Sequence, residues 1–465
     1  MLDKNLELYI LKMESIKIIK ETIEKNVPTN VNKNIDRYKD AILMDVYFGQ
    51  LLNGEIDTEL EQYVKKYVTV NEVDANEKKI SYKFNRVGDG LNPYKSLGEA
   101  RKIYSISEYT LVTMYNNILL SILIEFENII GRILKKIITA YPEPYVKDKN
   151  ISYAKVIESK DINDVKEKII DNEVDSLMRE NIFEWMNILQ RKHGIIIQVE
   201  NLYVQKFIEA YLRRNIIVHN DSKVNQDYIN GMKKAGKTIS EKSIGKKLLC
   251  TKTYIENVID ASIYTIICIC YNSLKLFKDE EEKLVDKMIE FGFEKIKNEE
   301  YDLAREIHKL IKDNDGLDQQ SRIYALINYW QTFKWSNKYE EVKDEIDKFD
   351  ISAYEDLIKL AVFALREEYD NLSDLLNSKF SEDKQNEELA IQLEEFPIFK
   401  EVRKKKFYKE LKENYPEAFS IKSTLVNEEN EEKGEMVENT KGVFKVTLGI
   451  EKVADNKKEK KEVNS

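Results

Sequence analysis

Residues 209–226, EAYLRRNIIVHNDSKVNQ, set a histidine behind two arginines and an asparagine in a chain with only three histidines. An imidazole titrates close to neutral pH, and a guanidinium keeps its charge while offering a planar fork of donors to a phosphate. These are groups for acid–base work on a phosphodiester. Cleavage of RNA by its own 2'-hydroxyl needs a base for that proton, an acid for the leaving 5'-oxygen and positive charge near the phosphorane. Two imidazoles and a guanidinium supply all three without a metal. One chain offers one suitably placed histidine, His219. A twofold dimer brings two copies of the patch together, giving two histidines and two arginines around one phosphate. Such general acid–base assistance is typically worth ~100-fold to 10,000-fold in rate.

The element that must position these residues reads as a helix ending near His219. Ile208, Leu212, Asn215, Ile216 and His219 share one face, and Phe207, Tyr211 and Val218 extend its apolar surface. Asn215 and His219 are neighbours one turn apart. Arg214 lies about 140° around a regular helix from His219. The two meet only through the long arginine side chain or through distortion at the helix end. The same residues also have a purely structural reading. A histidine near a helix C-terminus is favoured by the helix dipole by ~0.3 to 1 kcal/mol, and Arg213 can pair with Glu209 one turn back.

The motif RRNIIVHN at 213–220 resembles the R-x4-6-H signature of the HEPN superfamily, the "higher eukaryotes and prokaryotes nucleotide-binding" helical domains, in its form Arg-Asn-x-x-x-His. Arg214, Asn215 and His219 stand at the matching positions. The context is similar as well: a long apolar helix precedes the motif, the motif closes a later helix, and one more helix comes after it. The resemblance covers roughly residues 96–278. In many members the domain is a dimeric, metal-independent endoribonuclease with the motif at the dimer interface. Such proteins recur in toxin–antitoxin, abortive-infection and other antiviral defence systems. The resemblance implies that Arg214 and His219 are catalytic, that Asn215 positions the motif, and that the chain acts on RNA as a homodimer. Members often add a polar or acidic residue from an earlier helix; Glu125 and Glu127 both qualify, and no motif selects between them. Inactive binding versions exist in the superfamily, so the rival reading is a non-catalytic scaffold that dimerises and recruits a protein partner.

Behind the motif, MKKAGKTISEKSIGKKLLCTK carries seven lysines against one acid. Lys233, Lys234, Lys237, Lys246 and Lys247 are candidate contacts to RNA phosphates, which predicts salt-dependent binding. The segment has no aromatic residue, so it predicts backbone holding rather than sequence reading. The plain alternative is a solvated loop. His193, in QRKHG, reads as a helix-end cation, and His308, in AREIHKLIK, as part of a packing surface or solvent face. No His/Cys/Asp/Glu cluster has metal-ligand spacing, and neither GxxxxGK[ST] nor GxGxxG is present, so neither metal nor cofactor is expected.

At 465 residues the chain has room for two to four domains, and 42% hydrophobic content suffices for sizeable cores. Charged residues at 34%, a net charge of −10 and few glycines and prolines predict a mainly α protein. Its acidic total argues against indiscriminate nucleic-acid coating. Residues 1–95 read as a small mixed extension with a hairpin turning at DANEK, and GDGLNPYKSLG as the loop closing it. Residues 96–278 read as the HEPN-like helical bundle, with a long helix over 109–141 from Leu111, Ile118, Ile122, Phe126, Ile130, Ile133 and Ile137.

Residues 279–419 repeat one pattern around Tyr301, Tyr339 and Tyr369, about 38 and about 30 residues apart. That spacing brackets the ~34 of a tetratricopeptide (TPR)-like hairpin. It predicts a short α-solenoid, able to bind a protein trigger or inhibitor, with FPIFKEVRKKKFYKELKENYPEAF as its last helix or cap. Trp330 and Trp335, with Tyr329 and Phe333, read as core packing, with an aromatic binding surface as the alternative. The charged tail 420–465 is expected to be largely disordered, save that GVFKVTLGIEKV has strand alternation. The N-terminal stretch lacks a secretory h-region, and ILLSILIEF and IYTIICICY are about half the ~20 residues of a membrane span. Cys250, Cys268 and Cys270 lack zinc-ligand spacing and read as core-filling thiols in a reducing compartment. A cytoplasmic location without membrane contact is expected.

Overall fold

The computed structural model describes residues 1–37, 39–54, 56–85, 93–147 and 152–419. The tail from 420 onward, with the strand reading of residues 442–453, lies outside the described residues. Helix accounts for 74% of the structure, so the protein is mainly α. The chain divides into two units, Met1–Glu281 and Glu282–Ser465.

Unit 1 runs α1 (Leu2–Arg37), α2 (Lys39–Asn53), α3 (Thr58–Val64), β1 (Val68–Asp74), β2 (Lys79–Phe84), α4 (Pro93–Ala140), α5 (Glu143–Val146), α6 (Tyr153–Ile157), α7 (Ile162–Met178), α8 (Ile182–His193), α9 (Leu202–His219), α10 (Gln226–Lys234) and α11 (Lys252–Ser273). Its centre is built by α1, α4, α9 and α11 packed on one another. α4 turns Ile118, Ile122, Phe126, Ile130, Ile133 and Ile137 inward, none more than 5% exposed, at the three-and-four spacing of one helix face. It begins earlier than the sequence suggested. The expected loop GDGLNPYKSLG is helical from Pro93 onward, because proline is suited to a first helical position and good helix formers come next.

α11 is buried on nearly every face from Ile255 to Cys270, which explains why it is apolar all round. By length and composition it is long enough to cross a membrane, yet 72% of its most apolar window is buried inside the chain. The cysteines are buried and form no disulfide, and burial pushes the thiols of Cys250 and Cys270 up, to about 11 and about 12.

α1 belongs to this same core, through Leu2, Leu6, Tyr9 and Met13. Polar staples fix it: Lys20 reaches Glu256 of α11 at 2.6 Å, Lys12 pairs with Glu125 of α4, and the Leu2 amide donates to Glu280 at 2.6 Å. The expected hairpin is present, with β1 and β2 antiparallel, Asp74 opposite Lys79, and a bulge between Val70 and Glu72. Its turn is fixed by the Asp74 carboxylate, which accepts from the amides of Asn76 and Glu77 at 3.0 Å each. A small cluster of Met44, Tyr47, Val64 and Val68 packs α2 and α3 against it.

Unit 2 runs α12 (Glu281–Lys297), α13 (Tyr301–Lys312), α14 (Gln319–Trp335), α15 (Lys343–Lys348), α16 (Asp356–Arg366), α17 (Tyr369–Glu382), α18 (Glu387–Glu395), α19 (Lys406–Asn414) and α20 (Pro416–Phe419). The repeated tyrosines mark one repeated turn. Glu299, Asn337 and Glu367, each two residues before its tyrosine, are left-handed with φ of 62°, 60° and 61°. The next residue's amide then bonds five residues back: Glu300 to Lys295 at 2.8 Å, Lys338 to Phe333 at 2.9 Å and Glu368 to Phe363 at 3.0 Å. The middle copy is degenerate, because Tyr339 opens a single 3-10 turn and the six-residue α15. The segment expected as one last helix or cap forms two 3-10 turns, α19 and α20. Trp330 is fully buried and Phe333 nearly so, with Tyr329 packed against the same core, while Trp335 is only partly buried.

His308 on α13 is fully buried, and a Cβ added at Gly292 on α12 would lie 2.6 Å from its Nε2. Gly292→Ala is expected to cost about 1–3 kcal/mol by overpacking, read as a lower urea midpoint. Burial holds the His308 pKa down at about 3, against an ordinary 6.5. Between these values the unfolded chain binds a proton that the folded one refuses, so stability is full above about 6.5 and falls as pH drops. His308→Gln is therefore expected to flatten the pH dependence of stability between pH 6 and 4 by about 1.4 kcal/mol per pH unit.

Candidate active site

α9 starts under an Asn201 cap that accepts from the Tyr203 amide at 2.8 Å and buries Val204, Phe207, Ile208, Tyr211 and Ile216. Phe207 meets Phe126 of α4 with ring centroids 4.1 Å apart, and Trp185 of α8 meets Tyr211 edge-on at 5.7 Å. The helix ends at His219, as its sequence suggests. The amides of Asn220 and Ser222 both return to the Ile216 carbonyl, at 2.9 and 3.0 Å. Asp221 and Ser222 then stand in succession in the left-handed region, with φ of 49° and 59°. Such a conformation costs a non-glycine residue about 1–3 kcal/mol, and it is held here by surrounding bonds.

The two arginines have separate roles. Arg213 bonds Glu209 at 2.8 Å, donates to the Leu249 carbonyl at 3.1 Å and lies 3.8 Å above the Tyr254 ring. Glu209 also accepts from Tyr228 of α10 at 2.6 Å and from Tyr254 of α11 at 2.8 Å. Burial opposes the Arg213 charge, but Tyr254 and Glu209 outweigh it and raise its pKa. Burial first, then Glu209, pushes both tyrosines up. The structural pairing of Arg213 with Glu209 thus exists.

Arg214 points elsewhere. It is half-buried, donates to Asn215 Oδ1 at 3.1 Å, and has no ion pair among the described residues. His219 is exposed at the helix end and has no hydrogen bond among the described residues; Val218 beside it is exposed too, rather than packed. Tyr211 donates to Glu127 at 3.0 Å. Burial and Glu127 raise the Tyr211 pKa while Arg214 pulls it down, so all three share one electrostatic neighbourhood. Glu125 instead pairs with Lys12 on α1. Tyr211 and Glu209 are the positioning residues whose roles a sequence pattern does not reveal, since their partners come from α4, α10 and α11.

The lysine-rich segment is folded. Lys223 forms an antiparallel bridge with Lys247, the Val224 amide bonds the Lys246 carbonyl at 3.0 Å, and the Leu248 amide bonds the Ser222 carbonyl at 2.9 Å. A small core of Ile216, Val224, Tyr228, Ile229 and Met232 lies beneath, joined by Ile239 and Leu248. α10 packs closely on α9, because a Cβ at Gly231 would meet Leu212 at 2.6 Å. Lys246 and Lys247 are thereby returned to the end of α9, while Lys233, Lys234 and Lys237 sit at the end of α10; all five are exposed. Lys247 is paired with Asp221 at 3.1 Å. His193 differs from its reading as a helix-end cation. It closes α8 but bonds the Tyr145 hydroxyl at 2.8 Å, and burial, with Lys192 and Lys275, lowers its pKa. Among the described residues no group of three His, Cys, Asp or Glu could hold a metal ion.

Glu209→Gln is expected to destabilise the fold by about 3 kcal/mol, because it leaves the Arg213 cation buried without its counter-charge. Urea unfolding checks this, and a loss below about 1 kcal/mol would show that the pair is not an anchor. No family model, no curated protein and no solved structure matches this chain.

Proposed function

We propose that unit 1 is a HEPN-like, metal-independent endoribonuclease working at a composite dimer site, and that the TPR-like repeats of unit 2 bind a protein trigger or inhibitor. The carrying observation is that Arg213 satisfies the structural role open to an arginine here, while Arg214 has no ion pair and His219 stands exposed and unbonded among the described residues. A guanidinium without an ion pair and an accessible imidazole on the same helix suit a phosphate that arrives with its own charge.

In this reading a neutral His219 takes the 2'-hydroxyl proton of RNA, and the freed oxygen attacks the adjacent phosphorus. The protonated His219 of the second protomer gives its proton to the leaving 5'-oxygen. Two Arg214 side chains stabilise the phosphorane, and the products are a 2',3'-cyclic phosphate and a 5'-hydroxyl. Asn215 orients Arg214 through their hydrogen bond. Of the two candidate carboxylates, Glu127 is favoured, because Tyr211 ties it to the motif helix whereas Glu125 is engaged by α1. Lys233, Lys234, Lys237 and Lys246 hold the RNA backbone; Lys247 contributes less, since Asp221 already neutralises it. The role in antiviral defence or a toxin–antitoxin system rests on the resemblance of the motif.

With total cellular RNA and a chelator present, Arg214→Ala and His219→Ala are each expected to lower cleavage by at least about 100-fold without changing the melting temperature. Unchanged cleavage would remove the nuclease and leave the dimerising scaffold. Because the site needs a histidine from each protomer, mixing wild type with an equal amount of His219→Ala and letting subunits exchange should leave about one quarter of the activity, the statistical share of fully wild-type dimers. A fall to only one half would exclude the shared site.

A further inference from the structure

α8 closes at His193 under Gly194, which is left-handed with φ of 61°, and Lys275 follows the last turn of α11. His193 is half-buried beside two tyrosine rings, with centroids 5.5 Å away for Tyr145 and 6.1 Å for Tyr141. Its Nε2 stands 2.8 Å from the Tyr145 hydroxyl, which has no other hydrogen bond among the described residues. Tyr145 is 3% exposed, so a hydroxyl that only accepted would leave a buried proton unmet. It therefore donates, and burial, which raises its pKa, keeps the proton in place. The imidazole proton then sits on Nδ1, which has no hydrogen bond among the described residues.

Two ammonium groups share this neighbourhood. Lys192 Nζ lies 3.7 Å above the Tyr145 ring and donates to the Pro144 carbonyl at 2.8 Å. Lys275 Nζ donates to the Gly194 carbonyl, so near that a Cβ added at Gly194 would stand 3.2 Å from it, and it has no ion pair among the described residues. Burial, then Lys192 and Lys275, hold the His193 pKa below the ordinary 6.5. Glu173 of α7 acts on the group from the side of Tyr145, and no acid acts on His193 itself. A helix C-terminus carries about half a negative charge, a fraction of what two ammonium groups bring. Tyr254, at the Arg213 cluster, opens α11 and Lys275 lies past its other end, so the two clusters are a helix length apart, roughly 30 Å.

We propose that Lys192, His193 and Lys275 form a second anion site, which binds a dianionic phosphate, either a phosphate monoester or the free ion. His193 Nδ1–H donates to one oxygen, and the two ammonium groups supply charge and further donors. An ammonium group has three donors, and Lys275 spends one of them on Gly194. Two positive charges match a dianion, whereas a phosphodiester brings only one negative charge, so a nucleic-acid backbone is not the preferred ligand. Gly194 is exposed and has no side chain to block the approach. Tyr141, 40% exposed with its hydroxyl tied to the Leu276 carbonyl at 2.8 Å, offers a ring to whatever carries the phosphate. The site is independent of the nuclease reading.

The test titrates the full chain with inorganic phosphate, phenyl phosphate and dimethyl phosphate while following the imidazole signals of His193 and His219 by NMR. Inorganic phosphate or phenyl phosphate is expected to move the His193 signals saturably and to raise its pKa by at least about one unit, because a bound dianion favours the imidazolium. Dimethyl phosphate should bind at least about tenfold more weakly, the worth of one charge-assisted hydrogen bond. Tighter binding of phenyl phosphate assigns an ester, and inorganic phosphate binding at least as tightly assigns the free ion. Lys275→Gln should weaken binding at His193 at least about tenfold and leave any response of His219 unchanged. Should that variant not fold, Lys192→Gln serves in its place with the same expected loss. The proposal is overturned if neither dianion in large excess moves the His193 signals, if only His219 responds, if dimethyl phosphate binds as well as the dianions, or if the folded lysine variants bind like wild type.

Discussion

The buried charge cluster of Glu209 and Arg213 is the interaction on which the rest of the candidate site depends. Its two side chains are 14% and 13% exposed, and with Tyr228, Tyr254 and the Leu249 carbonyl they join α9, α10, α11 and the segment entering α11. A buried ion pair is poor evidence for net stability, since taking two charges out of water offsets most of their attraction. Its worth here is specificity of geometry. A single carboxylate accepting from two tyrosines and one arginine allows one arrangement of those helices, and apolar contacts alone would allow several. That arrangement fixes the rotation of α9, hence the direction in which its neighbours Arg214 and His219 leave the helix.

The rotation is set from the other side by the apolar core. Phe207 against Phe126 and Tyr211 against Trp185 leave α9 no freedom to turn, and α11 beneath it is packed on nearly every face. Glu127 and Tyr211 therefore face each other across the α4–α9 contact by construction. The strain at Asp221 and Ser222 belongs to the same design. α9 must stop at His219 and the chain must reverse so that Val224 can pair with Lys246, and two left-handed residues accomplish this in the shortest distance.

Local periodicity made much of this legible in the sequence. The inward face of α4, the end of α9 and the hairpin all derive from spacing and turn chemistry, which act over a few residues. What the sequence hid is tertiary. Arg213 and Arg214 are adjacent and identical in type, and only the tyrosines of α10 and α11 distinguish them. Glu125 and Glu127 lie on one helix, and only their partners on α1 and α9 separate them. The lysine segment has the composition of a loop, yet Ile239 and Leu248 pin it to a core that no local window reveals. Helix starts are the least legible feature, because Pro93 beside glycine and asparagine has the composition of a loop, while Pro93 beside the helix formers of α4 is a first helical turn.

Unsatisfied polar atoms differ in what they mean. Trp330 Nε1 is a single donor left over where a large ring fills the core, and the ring's apolar contacts outweigh one missing bond. Asn328 and Gln331 on α14 bond to each other, and each keeps one buried amide atom without a partner among the described residues. Arg214 stands in contrast in unit 1: its neighbour Arg213 has taken the structural pairing with Glu209, and Arg214 remains a half-buried cation with no ion pair among the described residues.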